Sequence, residues 1–238
     1  MNKIFDPSDV NIFWENHAQN TIKNNQAGLA NLETDPKLAK LKIKLEREKI
    51  NYFFKDSFNL DKLTFFDIGC GYGEWSFFLR KNFEHIYAYE NSPSMCKHMK
   101  QIVKENEFKN IKIVKADVGR IHFSDKFNFA LLSGILIYLD DIRCNYLLNQ
   151  LKQAAKHNAQ IIIRDGTAMK DEYLINGKYS VALDSKYYAV YRTRDKYISL
   201  MRDNGFKLVE DEDMFAKDSE LNKWQETRLR IYKFIKSC

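Results

Sequence analysis

The stretch LTFFDIGCGYGEW, residues 63–75, decides the fold of this 238-residue chain. It starts with a short apolar run typical of a buried strand, with Asp67 near its end. Three glycines, Gly69, Gly71 and Gly73, then alternate in a chain that contains nine glycines in all. A tight turn that approaches a ligand needs residues without Cβ, and the helix that follows offers free N–H groups at its start. The stretch therefore predicts a strand, a ligand-binding turn and a helix.

Short apolar runs alternate with amphipathic stretches through the rest of the chain. Strands joined by helices in this way form a parallel sheet that is covered on both faces. We therefore expect an α/β, Rossmann-like, seven-stranded and mostly parallel sheet whose last strand is antiparallel, with helices on both faces. The predicted strands are 63–69, 85–90, 111–117, 127–134, 159–166, 206–210 and 227–236, and the predicted helices include 73–82, 92–106 and 140–158.

The first sixty residues have a helical pattern of their own. Asp35 precedes Pro36 as a helix cap precedes a first helical residue, and leucines follow at helical spacing. Phe5, Ile12, Phe13 and Trp14 indicate a shorter helix upstream. We predict a helical extension or lid over 1–60 and a main domain over 61–238.

Composition narrows the class of protein. The chain is 45% hydrophobic and 29% charged, and 38 basic against 32 acidic residues leave a net charge of +6, with a pI near 8.9. The excess is scattered, whereas a nucleic-acid-binding protein carries a clustered basic face, so we expect no nucleic-acid partner. No apolar run is long enough to span a membrane and the start lacks a signal core, which favours a cytoplasmic protein.

The four cysteines have neither zinc-site nor redox spacing, so no metal and no disulfide are expected.

The motif excludes two common ligands. A dinucleotide-binding turn reads G-x-G-x-x-G, but Glu74 stands where the third glycine belongs, and the phosphate-binding GxxxxGK[ST] loop is absent. The remaining pattern, Asp67-x-Gly69-x-Gly71-x-Gly73, resembles that of the class I S-adenosylmethionine-dependent methyltransferases, and the resemblance covers about residues 60–238. It implies an enzyme with S-adenosylmethionine as cofactor.

The resemblance also assigns residues at the ends of successive strands. Glu90 matches the acid that accepts hydrogen bonds from both ribose hydroxyls, Asp117 the acid at the adenine amino group, and Ser133 the border of the methyl group. Asp67 would face the amino group of the methionine part. The implied cofactor-binding set is Asp67, Gly69, Cys70, Gly71, Gly73, Glu90, Asn91, Asp117, Val118 and Ser133. Ligands in such sheets bind at these carboxyl ends.

The acceptor side is less defined by sequence. Asp165 lies at the end of the fifth predicted strand, and we expect it to orient the acceptor or to take its proton. Tyrosines and arginines then crowd into YYAVYRTR, residues 187–194, which forms either a wall that binds the acceptor or ordinary strand residues with arginines reaching to solvent. The candidate acceptor-binding residues are Trp14, His17, Tyr188, Tyr191 and Arg192.

The chain as a whole resembles bacterial methyltransferases associated with surface glycans. The expected reaction is direct displacement of the methyl group onto an oxygen or nitrogen of a small polar acceptor, such as a sugar or glycan precursor. Two alternatives stay open: an amine or protein N-terminal α-amine methyltransferase, and a methyltransferase-like module that binds without catalysis. The oligomeric state is not predicted.

Overall fold

The computed structural model describes residues 6–23, 35–57, 62–180 and 185–237. Phe5 and part of the expected N-terminal extension lie outside these ranges. The helices are α1 (Pro7–Lys23), α2 (Pro36–Phe53), α3 (Glu74–Phe78), α4 (Pro93–Glu105), α5 (Asp141–Ala154) and α6 (Arg194–Asp203). The strands are β1 (Thr64–Ile68), β2 (His85–Glu90), β3 (Ile111–Lys115), β4 (Phe127–Ser133), β5 (Ala155–Ala168), β6 (Tyr173–Ser180), β7 (Ser185–Thr193), β8 (Phe206–Asp213) and β9 (Thr227–Lys236).

The first five strands form the expected parallel sheet. Their spatial order is β3-β2-β1-β4-β5, with every pairing parallel. Strand β9 runs antiparallel beside β5, and β8 runs antiparallel beside β9. The Rossmann-like fold with an antiparallel last strand is therefore confirmed, and the carboxyl ends of β1 to β5 share one edge.

The structure has two strands that the sequence did not predict. The tyrosine-rich segment forms a hairpin of β6 and β7, and the end of β7 pairs in parallel with the end of β5 at Thr167 and Ala168. The described residues thus contain nine strands where seven were expected. Pairing of this kind depends on distant residues, which a local pattern does not reveal.

Two helices are shorter than expected. Helix α3 ends at Phe78 and gives way to a 3-10 turn at 80–82, and α5 ends at Ala154. The residues after Ala154 join β5, where Ala155 pairs with Phe127 and Asn158 adopts a positive φ of 58°. Asparagine tolerates this conformation better than most residues, so the chain can turn into the strand there.

The sheet is buried on both faces. Phe66, Ile68 and Ile163 pack with α5 and α6 on one face, and Phe65 and Ile162 pack with α2 and α3 on the other. This explains why the parallel strands are continuously apolar.

Both N-terminal helices pack on this body. Asp35 caps α2, since its Oδ1 accepts from Lys37 N at 2.7 Å and Leu38 N at 3.3 Å, as predicted. Helix α1 buries Phe13 beside Tyr187, and Ala18 against Tyr72. No helix among the described residues has the length and apolar character needed to cross a membrane.

Candidate active site

The glycine turn follows β1 closely. Gly69 N and Cys70 N both donate to Tyr89 O, at 2.9 and 3.0 Å. Gly69 has a φ of +68°, and a Cβ there would lie 2.6 Å from Ile135 Cδ1. The positive φ disfavours any residue with a side chain at this position, and Ile135 would have to shift to make room for one, which agrees with the predicted turn.

Glu90 lies at the end of β2 with its carboxylate turned toward the glycine turn. Its Oε2 accepts from Gly71 N at 2.9 Å, and its Oε1 accepts from Asn91 N and Ser92 N, both at 2.8 Å. Burial raises the pKa of Glu90, and these three backbone N–H groups oppose the increase. A carboxylate has about four acceptor positions, so one remains for a ligand hydroxyl in addition to these three.

Asp117 and Val118 follow β3 on the same edge. Asp117 Oδ1 accepts from Gly119 N at 2.9 Å and from Arg143 Nη2 at 2.8 Å. Val118 is buried beside them. Ser133, at the end of β4, accepts hydrogen bonds from Trp75 Nε1 at 3.1 Å and Arg164 Nη1 at 3.2 Å.

Asp67 is buried beneath this edge. It is 1% exposed, and its Oδ2 accepts from Ser76 Oγ at 2.7 Å. Its Oδ1 has no hydrogen-bond partner among the described residues. Burial raises the pKa of Asp67 to about 7 against the opposing effect of Ser76.

One cavity of about 740 Å³ joins these residues. That volume lies within the range of roughly 300–1,000 Å³ that is usual for small-ligand pockets. Of the expected cofactor residues, Asp67 and Gly73 are not part of its wall. The wall contains the other eight: Gly69, Cys70, Gly71, Glu90, Asn91, Asp117, Val118 and Ser133.

These residues fit S-adenosylmethionine. A Cβ added at Gly71 or Gly134 would meet no protein atom within 4 Å, so the backbone at both positions borders open cavity. The acceptor position that remains on Glu90 suits a ribose hydroxyl, because charge-assisted hydrogen bonds to a carboxylate are strong. Asp67 lies outside the cavity wall with Oδ1 unpartnered, so its expected contact with the amino group of the cofactor stays a prediction.

Aromatic side chains line the other end of the cavity. The Tyr138 and Tyr187 hydroxyls lie 3.2 Å apart, and the Tyr187 and Tyr191 hydroxyls 3.3 Å apart. The Trp14 ring packs edge-on against Tyr138 with centroids at 5.4 Å. Burial raises the pKa of all three phenols, so they are neutral hydrogen-bonding groups. We call Trp14, Tyr138, Tyr187 and Tyr191 the aromatic wall.

Asp165 borders the cavity, but its carboxylate is already engaged. Oδ2 accepts from Leu136 N at 3.0 Å and Ile137 N at 3.3 Å, and Oδ1 accepts from Gly166 N at 3.1 Å. The residue is 0% exposed, and burial raises its pKa to about 7 despite the opposing charge of Arg192. The geometry therefore favours a positioning role, with proton transfer still a prediction.

Three expected acceptor residues do not reach the cavity. Arg192 was expected to bind the acceptor, but its side chain is 0% exposed. It donates instead to Leu136 O, Leu139 O and Asp141 Oδ1. Tyr188 turns toward Asp9 of α1. His17 packs against Phe13 and Trp14 outside the cavity wall, and burial lowers its pKa.

Sequence reasoning missed several residues of the cavity wall. Tyr138 lies in a turn without a motif, and Lys42 and Glu46 lie on α2, far from β5 in sequence. Glu15 of α1 also borders the cavity and binds the start of α4, accepting from the hydroxyls of Ser92 and Ser94, both at 2.5 Å. In the sequence, only the apolar spacing of the two N-terminal helices pointed to their packing here.

Similarity to known proteins agrees with this geometry. Residues 65–158 match a family described as a methyltransferase domain. No curated protein sequence matches the chain significantly.

Solved structures resemble the fold over much of the chain. A magnesium protoporphyrin IX methyltransferase from Synechocystis PCC 6803, crystallised with bound SAM, is 15% identical with a TM-score of 0.67 and covers 100% of both chains. A 1,6-didemethyltoxoflavin-N1-methyltransferase from Burkholderia thailandensis is 11% identical, with a TM-score of 0.69, over 100% of this chain and 93% of that one. The cyclase SpnF is 11% identical, with a TM-score of 0.63, over 80% and 81%. Because a cyclase shares the fold, the fold alone does not define the reaction.

The family match and the cofactor-binding edge together define the class. Residues 65–158 match the methyltransferase-domain family, so this part of the chain is a methyltransferase domain that depends on S-adenosylmethionine. Its cofactor is S-adenosylmethionine.

Proposed function

We propose that this enzyme, acting in the cytoplasm, methylates an oxygen or nitrogen atom of a small, polar, ring-bearing acceptor. The observation that carries the proposal is the single cavity that connects the cofactor residues with the aromatic wall past Ser133. A sugar or glycan precursor is one acceptor of this kind. The porphyrin and toxoflavin acceptors of two structurally similar enzymes are also ring compounds.

The bound cofactor supplies a methyl group on a sulfonium, which is already activated for displacement. The protein's part is to hold the acceptor in line and to keep water out, and such positioning accounts for much of the rate enhancement. Glu90, Asp117 and the glycine turn would hold the nucleoside, and the aromatic wall would hold the acceptor ring. A base is needed only for an acceptor that loses a proton.

The N-terminal helices complete the cavity in this proposal. Trp14 and Glu15 come from α1 and Lys42 and Glu46 from α2, and all four border the cavity. Residues 1–60 would therefore act as a lid on the domain at 61–238. The bonds from Glu15 to Ser92 and Ser94 would hold α1 over the loop that follows Glu90.

Transfer of a labelled methyl group tests the proposal. The enzyme and labelled cofactor are incubated with cell-extract fractions separated into nucleotide-sugar, glycolipid, protein and RNA pools. Label in a small-molecule pool is expected, and label confined to the RNA pool would contradict the proposal.

An amine acceptor is the second candidate, and the aromatic wall is the observation that favours it. Phenol and indole rings attract ammonium groups through cation–π contacts. Heating the labelled product in hydriodic acid separates O-methyl from N-methyl products, because it releases the methyl groups of ethers and esters as methyl iodide and leaves N-methyl groups in place.

A further inference from the structure

Arg164 and Asp165 are neighbours near the carboxyl end of β5, but their side chains face opposite ways. Successive strand residues point to opposite faces of a sheet. Asp165 turns toward the 136–138 turn, whereas Arg164 turns toward α2, where its guanidinium binds Glu46. In the register of β4 and β5, Arg164 lies opposite Ser133. It therefore lies one strand beyond the four that carry the cofactor residues.

Two cations share one carboxylate at this place. Glu46 Oε1 binds Arg164 Nη2, and the same oxygen lies 3.5 Å from Lys42 Nζ. The Lys42, Glu46 and Arg164 side chains are 21%, 7% and 13% exposed, and all three residues border the cavity. Counted over these three groups, which we call the triad, the formal charge is +1. Ion pairs are only weakly screened in such partly buried surroundings.

Hydrogen-bond donors remain beside the triad. Arg164 Nε is buried without a partner among the described residues. Ser133 Oγ accepts from Trp75 and from Arg164, so both of its lone pairs are engaged and its own hydrogen remains to be donated. A cation, an unpartnered N–H and a donating hydroxyl together favour an oxyanion.

The other acids near this end of the cavity have partners of their own. Glu74 Oε1 accepts from Arg47 Nε at 2.9 Å and from Arg47 Nη2 at 2.7 Å. Asp165 accepts from three backbone N–H groups on the opposite side of β5. Neither cancels the charge of the triad.

We propose that the triad binds an anionic group, a carboxylate or a phosphate, carried by the methyl acceptor. The proposal rests on the proposed function, since it concerns the acceptor end of the same cavity. It predicts that acceptors consist of a ring, held by the aromatic wall, with an acidic substituent that lies against Arg164. A cationic amine would be disfavoured there, because like charges repel across a low-dielectric cavity.

Calorimetry with simple probes tests this on the protein saturated with S-adenosylhomocysteine. Benzoate and benzamide have nearly the same shape and differ in charge, and phenyl phosphate distinguishes a phosphate from a carboxylate site. Either anion should bind at least about tenfold more tightly than benzamide, in line with a charged hydrogen bond. Equal binding of all three probes would overturn the proposal.

Variants that should weaken anion binding are compared with one that should strengthen it. Arg164→Gln should remove the preference for the anion, Arg164→Lys should keep part of it, and Glu46→Gln should strengthen it. Lys44→Gln is the matched control, because Lys44 on the same helix is 72% exposed, and it should leave anion binding unchanged. Unchanged anion binding in Arg164→Gln would overturn the proposal.

The cofactor itself carries a carboxylate, so the same variants are titrated with S-adenosylhomocysteine and with 5′-methylthioadenosine, which lacks that group. Near-equal affinities in wild type and Arg164→Gln support an acceptor site. A tenfold loss for S-adenosylhomocysteine alone would assign the triad to the cofactor and overturn the proposal. Failure of the wild type to bind S-adenosylhomocysteine would instead overturn the proposed function, and the inference with it.

Discussion

Asp165 and Arg192 hold the same turn from opposite sides. Asp165 Oδ2 accepts from Leu136 N and Ile137 N, whereas Arg192 Nη1 donates to Leu136 O at 2.8 Å and Nη2 to Leu139 O at 2.7 Å. The turn between them carries Tyr138 into the aromatic wall. Two residues that the sequence suggested for the acceptor site thus bind the turn that places Tyr138 at the cavity wall.

Arg192→Met should destabilise the fold strongly. The substitution removes charged hydrogen bonds to Leu136 O and Leu139 O, each worth about 1.5–3 kcal/mol, and the pair with Asp141, which is 41% exposed. Urea unfolding measures the change. Arg202→Met, at a side chain 71% exposed, is the control and should have little effect. Equal stability of the two variants would contradict the role given to Arg192.

Asp165→Asn should reduce methyl transfer at least about tenfold while changing the affinity for S-adenosylhomocysteine less than about twofold. The amide has one acceptor oxygen, and its NH₂ group would face a backbone N–H, so the turn that carries Tyr138 should loosen. Turnover assays and calorimetry on the same preparation separate the two effects. A matching loss of cofactor affinity would place Asp165 in the cofactor site instead.

The sequence was informative where the chemistry is local. Gly69 directly follows β1 and Glu90 is the last residue of β2, and parallel strands bring such positions to one edge. Asp35 was recognised as a helix cap for the same reason, because its partners are two and three residues away.

Residues that act through distant partners were misread or missed. Arg192 looked like part of a binding wall, but its bonds reach residues more than fifty positions away, and only the β5–β7 pairing brings them together. Arg164 and Glu46 are 118 positions apart. No local pattern distinguishes a buried structural arginine from one that borders a cavity.

Asp67 should make stability depend on pH. Its pKa is about 7 in the folded protein and about 3.9 in an unfolded chain, so the folded state binds more protons between these values. Stability should therefore fall as the pH rises through this range, by up to about 1.4 kcal/mol per pH unit for this group. Asp67→Asn removes the titration, so the stability of wild type relative to this variant should decrease from pH 4 to pH 7. If the difference in unfolding free energy between wild type and Asp67→Asn stays constant across this range, the prediction is contradicted.

Glu90→Gln should weaken binding of S-adenosylhomocysteine about tenfold or more. Glutamine keeps the length of the side chain but loses the charge that strengthens the hydrogen bond from a ribose hydroxyl. Calorimetry gives the affinity, and Glu105→Gln at the exposed end of α4 is the matched control. If both variants bind like wild type, Glu90 does not hold the ribose.

A crystal structure of the enzyme with S-adenosylhomocysteine tests the central claim most directly. We expect a ribose hydroxyl on Glu90, the adenine beside Asp117 and Val118, and the sulfur near Ser133, facing the aromatic wall. A nucleoside bound elsewhere, or one whose sulfur faces away from Tyr138, Tyr187 and Tyr191, would contradict it.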